Sequence, residues 1–368
     1  MALDRILLTR FRNHRDSALS GTARFNLLVG ENGAGKTNVL EAISLLAPGR
    51  GLRRAALADM ALRGGEAGTG TFAISARLAS GAGEPVTLGT GTEPGRPTRR
   101  LVTVNGADHP ASGLGEWLSL FWLTPAMDRL FMDSPGARRR CLDRMVLALE
   151  PGHARAATRL ENALRERNRL LAEARDPDPQ WLDAIEGQIA EAGSLVAQAR
   201  ARLVERLAAS LAGGADGPFA HPDLAYQPGG PLDAVALSAA LRQSRPRDRA
   251  AQRTLTGPHR DELAVTMAGK DQPAAECSTG EQKAMLIALT LAHAGLAAAD
   301  STRPRLLLLD EVAAHLDPLR RAALFDKLRE SGAQVWMTGT EAAPFGEILG
   351  EAAVWSVADG RVDRSGPA

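Results

Sequence analysis

Three short stretches bring together residue types that do chemistry. Gly30-Glu31-Asn32-Gly33-Ala34-Gly35-Lys36-Thr37 fits the pattern G-x-x-x-x-G-K-[ST]. It follows a strand-like run, Phe25-Asn26-Leu27-Leu28-Val29, and opens a helical pattern from Lys36 to Leu46. Glycines in such a loop let backbone amides wrap phosphate oxygens, and the helix start adds a dipole that favours negative charge. Lys36 is placed to bridge β- and γ-phosphates, and the Thr37 hydroxyl to ligate Mg²⁺. In the second stretch, Leu306-Leu307-Leu308-Leu309 runs into Asp310-Glu311. A buried strand would carry two carboxylates to a sheet edge, Asp310 to hold Mg²⁺ through its water shell and Glu311 to polarise an attacking water. The third is Ser278-Thr279-Gly280-Glu281-Gln282, before a long apolar helix. Ser278 and Glu281 fit an ordinary capping box, while Gly280 permits close backbone approach.

These stretches need elements to position them. Ile6-Leu7-Leu8 and Phe25 to Val29 read as strands, and residues 70–104 as an antiparallel meander of short strands between Gly and Pro turns. From Leu118 to Leu211 the pattern is mostly helical, with apolar residues at Leu160, Leu164, Leu171, Leu182, Ile185, Ile189 and Leu195. Asp176-Pro177-Asp178-Pro179 breaks it once, giving a helical hairpin with arms of roughly 30 residues, on the order of 40 Å each. Residues 212–233, rich in Gly and Pro, read as a linker or irregular loop. A second α/β region starts near 253, with strands at Leu263–Thr266, Arg305–Leu309 and Val335–Met337 and helices at Glu281–Ala298 and Leu319–Glu330. The expected domains are 1–117 with 253–368, and a helical lobe at 118–252 inserted between them. The helix 278–298 is expected to pack with that lobe.

Composition narrows the classes. With 368 residues, 44% apolar and 24% charged, the chain is neither disordered nor a small disulfide scaffold. Its two cysteines, Cys141 and Cys277, form no Cys-x-x-Cys zinc or redox pair. The N-terminus does not read as a secretory signal, and the apolar run Met285–Ala299 is short for a bilayer span. A cytoplasmic protein with no membrane partner is the expectation. Four lysines stand against forty arginines, which suits either a GC-rich genome or phosphate contact. Nine arginines face four acids between Pro135 and Leu170. Arg138, Arg139, Arg140 and Arg144 are candidates for a phosphate-neutralising stripe; a solvated face, with arginines paired to Glu161 and Glu166, is the alternative. Arg50, Arg53, Arg54, Arg99 and Arg100 are further candidates. Aromatics at 4% argue against base-specific readout.

The P-loop, the Ser-Thr-Gly-Glu-Gln stretch, Asp310-Glu311 and a downstream Asp317 together resemble an ABC-type ATPase head. Phe11-Arg12-Asn13-His14, Lys36 through Ile43, the block from Ser134 to Arg144 and Gly257-Pro258-His259-Arg260-Asp261 narrow the resemblance to the RecF branch of the SMC-like family. The resemblance implies an α/β P-loop head with an inserted helical lobe bearing a short, antiparallel, coiled-coil-like hairpin. It implies ATP and Mg²⁺ as ligands, Arg12 near the nucleotide and an ATP-dependent homodimer. Ser278, Thr279, Gly280 and Glu281 of one subunit would complete the site of the other. Asp317 falls in the dimer-seam loop. Thr338 sits in the switch segment, where ABC heads usually carry His. Double-stranded and gapped DNA, weak DNA-dependent ATP hydrolysis, and RecR, RecO and RecA as partners in DNA repair follow from the same resemblance. The runner-up is another SMC-like head involved in chromosome maintenance. Thr124-Pro125-Ala126 and Cys141 depart from the RecF pattern.

Overall fold

The computed structural model describes residues 3–62, 70–79, 84–173, 175, 177–213, 218–300, 303–313 and 316–365. Asp176, Ala314 and His315 lie outside them. In chain order the N-terminal part contains β1 (Leu3–Phe11), β2 (His14–Ser20), β3 (Phe25–Val29), α1 (Lys36–Ser44) and β4 (Ala73–Leu78). There follow β5 (Val86–Glu93), β6 (Arg96–Val104), β7 (Ala107–Asp108) and β8 (Ser119–Leu123). The middle holds α2 (Pro135–Leu149), α3 (His153–Leu171), α4 (Pro179–Ala212), β9 (Pro222–Gln227), α5 (Ala234–Ala250), β10 (Glu262–Met267) and β11 (Gln272–Pro273). The C-terminal part is α6 (Thr279–Asp300), β12 (Arg305–Leu309), α7 (Pro318–Ser331), β13 (Gln334–Gly339), β14 (Ala352–Ala358) and β15 (Arg361–Arg364).

The chain forms two compact units, Met1–Met127 with Ala297–Ala368, and Asp128–Leu296. In the first unit, one sheet has the order β15-β14-β3-β13-β12-β8, parallel except for the hairpin strand β15. The other is antiparallel, β2-β1-β4-β5-β6-β7, and includes the meander expected over 70–104. One continuous core joins them, from Leu3, Ile6 and Leu8 through Val39 and Ile43 to Leu308, Trp336 and Trp355. Trp336 and Trp355 stack at 5.4 Å between ring centroids, inside the range where aromatic pairs are favourable.

One expectation fails at the start of the helical region. Ser119–Leu123 is a strand, not helix, and pairs in parallel with Arg305–Leu309. All five of its residues are buried. A short run that is apolar after its first residue has no period that separates strand from helix. The 212–233 stretch likewise holds strand β9 rather than linker alone.

In the second unit, α3 and α4 form the antiparallel hairpin that the Pro break demands. Asp178 caps α4 by accepting from the Gln180 amide at 2.8 Å, and Pro179 occupies the first turn. The arms are unequal, 19 and 34 residues, hence about 28 and 51 Å. Leu160, Leu170, Leu182, Ile185, Ile189 and Val196 bury against Leu237 and Leu241 of α5. Leu195, expected in that stripe, is 60% exposed, because it falls one position before the inward-facing Val196. The pairs Arg165–Glu161 and Arg169–Glu166 form on the helix surface as helical spacing suggests. Helix α6 is long and apolar enough to cross a membrane by length and composition, beyond what the Met285–Ala299 run suggested, and 56% of its most apolar window is buried.

The apolar stripe is not all that holds the hairpin. Arg167, fully buried, donates to Glu186 at 3.0 Å, Asp248 at 2.7 Å, Thr254 Oγ1 at 2.9 Å and the Leu241 carbonyl at 3.1 Å. Both carboxylates are also fully buried, and Arg245 adds a second guanidinium to Glu186. One side chain of α3 thus satisfies polar groups of α4 and α5 where no water reaches. Removing one partner of a buried ion cluster leaves uncompensated charge. Arg167→Ala is therefore expected to lower unfolding free energy by about 3–5 kcal/mol in urea titrations. Arg167→Lys should recover only part of this, since an ammonium cannot reproduce the guanidinium fork.

Candidate functional site

The P-loop leaves β3 and enters α1, and its geometry follows from its glycines. Gly33 and Gly35 have φ of 86° and 117°, in the region that disfavours side chains. A Cβ at Gly35 would stand 2.7 Å from Asn13 Oδ1 and 2.8 Å from His14 Nε2. Gly35 caps α1 with no side-chain hydrogen bond, and no acid lies in the first turn. The helix therefore begins with amide donors and an uncompensated positive dipole end, which suits an anion. Lys36 Nζ donates to the Gly30 and Glu31 carbonyls at 2.6 and 2.9 Å, folding the ammonium into the loop that Asn32 and Ala34 complete.

Asp310 lies at the end of β12, 6% exposed. Its Oδ1 accepts from Thr37 Oγ1 at 2.9 Å and from Thr338 Oγ1 at 2.8 Å. Burial raises the Asp310 pKa above the usual carboxylate value; the two hydroxyl donors oppose that shift, and the neighbouring Glu311 adds to it. Glu311 follows in the left-handed region at φ 55°, its amide donating to Thr338 Oγ1 at 2.9 Å. Thr338 therefore fixes both acidic residues through one hydroxyl. The Thr37 hydroxyl and the Asp310 carboxylate are hard oxygen donors 2.9 Å apart, a donor set that fits Mg²⁺.

On the other side of α1, the β1–β2 turn leans on the loop. Arg12, at φ 55°, makes a bidentate pair with fully buried Glu41, Nε to Oε2 at 2.8 Å and Nη2 to Oε1 at 2.7 Å. Arg53 donates to the same carboxylate at 3.0 Å and to Asn38 Oδ1 at 2.6 Å. Arg12, Asn13, Asp59, Ala61 and Leu62 line a cavity of about 350 Å³. Glu41 and Asn13 are site residues that motif reading passed over; their signal is their place in Phe11–His14 and in the helix after Lys36. Arg100 caps the other end of α1, donating to the carbonyls of Leu45, Ala47 and Gly49, and burial lowers its pKa to about 10.

The structure thus brings Gly30–Thr37, Arg12, Asp310, Glu311 and Thr338 into one site of the first unit. Asp317 caps α7, accepting from the Arg320 amide at 2.9 Å, and is exposed.

The second unit carries the other candidates. Ser278, Thr279 and Gly280 are exposed. The capping box is realised: Ser278 N and Oγ donate to Glu281 Oε2 at 2.9 and 2.8 Å. Lys270, and after it Ser278, lower the Glu281 pKa to about 2. Arg138 forks onto Glu262, at 2.6 and 2.8 Å, and also donates to the Phe131 and Asp133 carbonyls. Arg139 donates to the Asp261 carbonyl at 2.8 Å, and Arg144 to Cys141 Sγ at 3.6 Å. Arg140 is exposed. The blocks 134–144 and 257–261 are therefore one assembly, centred on Asp261, which takes Arg200, Tyr226 and the Gly229 amide.

A P-loop feeding a helix from a parallel sheet, with an acidic pair at the end of a nearby strand and an antiparallel sheet alongside, defines an ATPase head of the ABC type. The family model described as "RecF/RecN/SMC N terminal domain" matches residues 2–348. The chain is 48% identical over 374 residues to the DNA replication and repair protein RecF of Mesorhizobium japonicum, covering 98% of this chain and 97% of that one. It is 45% identical over 367 residues to the RecF of Caulobacter vibrioides, covering 95% of each. The chain belongs to the RecF/RecN/SMC N-terminal domain family and, within it, to the RecF proteins. Its fold matches a solved structure of the recombination mediator protein RecF-ATP in the RecFOR pathway, at TM-score 0.84 and 23% identity over 99% of this chain and 98% of that one. A Pyrococcus furiosus Smc head domain matches at TM-score 0.56 and 18% identity, over 99% and 96%.

Thr338→Val keeps the side-chain volume and removes the donor to Asp310 and the acceptor for the Glu311 amide. With the Glu311 amide unpaired and Asp310 left with the Thr37 hydroxyl alone, a loss of about 1–3 kcal/mol of unfolding free energy is expected by urea titration. Thr338→Ser should stay within about 1 kcal/mol of the parent.

Proposed function

We propose that this chain is an ATP-gated DNA-binding protein of recombinational repair. ATP joins two copies, the joined heads hold duplex DNA at or near single-strand gaps, and slow hydrolysis releases it. The observation that carries this reading is the convergence of Thr37, Asp310, Thr338 and Glu311 at the end of the P-loop sheet, in a chain whose relatives are DNA replication and repair proteins.

Each residue has a task. The amides of Gly30–Thr37 and the Lys36 ammonium bind the triphosphate, and Arg12 flanks it. Thr37 and Asp310 would hold Mg²⁺, which when bound neutralises developing charge on the β- and γ-oxygens. Glu311, held by its own amide on Thr338, orients the attacking water and accepts its proton. Ser278, Thr279, Gly280 and Glu281 reach the nucleotide of the partner copy, and the exposure of Ser278 supports this. Asp317 belongs to the seam between copies. For the DNA backbone, Arg140 supplies phosphate contacts, with Arg138, Arg139 and Arg144 of the same helix beside it. RecR, with RecO and RecA, completes the pathway in the cytoplasm.

The test is retention of duplex, single-stranded and gapped DNA, with dimer mass, under ATP, ADP and no nucleotide. ATP should raise both retention and dimer mass. Lys36→Met should abolish the increase, and Glu311→Gln should hold the ATP-bound dimer while cutting turnover at least tenfold, about 1.4 kcal/mol in barrier. DNA retention indifferent to nucleotide would refute the gate.

A further inference from the structure

The hairpin β14–β15 lies beyond residue 348, where the family match ends, and nothing in the proposed chemistry uses it. Its turn, Asp359-Gly360, has φ of 46° and 74°, both in the left-handed region of a tight two-residue hairpin turn. That turn does not face solvent alone. The Gly360 amide donates to the Ala34 carbonyl at 3.1 Å, and Asn13 Nδ2 donates to the same oxygen at 3.0 Å. A Cβ on Gly360 would collide with the Asn13 carbonyl. At the other end of the P-loop, a Cβ on Gly30 would collide with the Val357 carbonyl of β14. Both ends of the phosphate loop therefore rest on the C-terminal hairpin, the Ala34 end through a backbone hydrogen bond and the Gly30 end at a distance only glycine permits.

His14 closes the arrangement. It is fully buried. A carbonyl can only accept, so the bond to the Gly35 oxygen at 3.1 Å places the ring hydrogen on Nε2. Burial lowers the His14 pKa. Nδ1 is then an acceptor, and it shares the single Ser17 hydroxyl hydrogen with the Gly360 carbonyl, at 3.0 and 3.1 Å from Oγ. The carbonyls of Ala34 and Gly35, which close the phosphate loop, are thus taken by the turn of one hairpin and by His14 and Asn13 of another. With those carbonyls fixed, the directions of the neighbouring amides are fixed too, since each peptide unit is rigid.

We propose that the C-terminal hairpin turn and His14, linked through Ser17, form a clamp that holds the P-loop in its phosphate-accepting shape. Gly360, Ser17 and His14 are then positioning residues for the nucleotide that never touch it. The clamp rests on the reading of Gly30–Thr37 as the nucleotide site.

Hydrogen–deuterium exchange of the peptide spanning 30–37 tests the clamp without nucleotide, and ATP affinity and turnover test its consequence. In His14→Phe the peptide should exchange at least about tenfold faster, and the Kd for ATP should rise by about tenfold, with kcat at saturating ATP within about twofold. His14→Gln, which keeps a donor for the Gly35 carbonyl, should recover most of both effects. Ser17→Ala, a small change that should fold readily, should show the same directions at smaller size. A His14→Phe protein with parental exchange and ATP affinity would overturn the clamp, as would a Gln variant no better than Phe. Lys36→Met in the same assay separates the two readings. If it abolishes ATP binding while the clamp variants bind as the parent does, only the clamp falls. If the parent itself binds no ATP, the nucleotide reading falls, and exchange alone decides the clamp.

Discussion

The site depends on one buried carboxylate. Asp310 reaches the end of β12 in a position that water hardly enters, and an isolated charge there would be costly. Two hydroxyls compensate it, Thr37 from the first turn of α1 and Thr338 from the end of β13. The sheet order explains why those two are available. β13 lies between β3, which feeds the P-loop, and β12, which delivers Asp310. A polar side chain at the end of the middle strand lies beside the ends of both neighbours, and Thr338 bonds to the β12 side. The crevice beyond the carboxyl ends of parallel strands is where such sheets place ligands, and here Asp310 ties three strand ends into that crevice.

The phosphate loop and the acidic pair were legible because their chemistry is contiguous in sequence and framed by strand and helix signals. For Thr338 only its place in the switch segment was legible, by resemblance; its bridge between Asp310 and the Glu311 amide was not, because a threonine at a strand end has no local pattern and its meaning comes from lying between two other strands. β8 was missed for a related reason. Ser-Leu-Phe-Trp-Leu has neither alternation nor helical spacing, and its assignment is decided by pairing with β12, nearly 190 residues later. Arg167 looked like one more arginine on a charged helix; that it is interior follows from α5, which supplies Asp248 and the Leu241 carbonyl. The proline break between α3 and α4, by contrast, was readable, because proline acts through its own geometry wherever it stands.

The arginine excess illustrates the same limit. Composition left two readings, nucleotide bias or phosphate contact. The structure adds a third use: Arg12, Arg138, Arg167, Arg200 and Arg245 each fork onto carboxylates inside their unit. A guanidinium satisfies two oxygens in one plane, which a lysine cannot do. Much of the positive charge between 135 and 170 is therefore already paired, and within the run Arg138–Arg140 only Arg140 is exposed. A triple-arginine run is thus no unit of function; its members divide between holding the fold and meeting solvent.

Backbone strain sits close to the chemistry. Among the described residues, Arg12 and Glu311 are non-glycine positions with φ near 55°, a conformation that costs roughly 1–2 kcal/mol per residue. Each is held by hydrogen bonds that only the folded unit provides, Arg12 by Glu41 and the Asp59 carbonyl, Glu311 by Thr338. Strain of this kind persists where the surroundings over-determine it. At Glu311 the left-handed turn breaks the strand just after Asp310. Consecutive side chains of a continuing strand would point to opposite faces, with one acid aimed into the sheet's neighbouring layer. Turning the backbone there frees the second carboxylate from that alternation while the first stays buried on Thr37 and Thr338. The parallel sheet thus supplies the position of the acidic pair, and the strained peptide separates the environments of its two members.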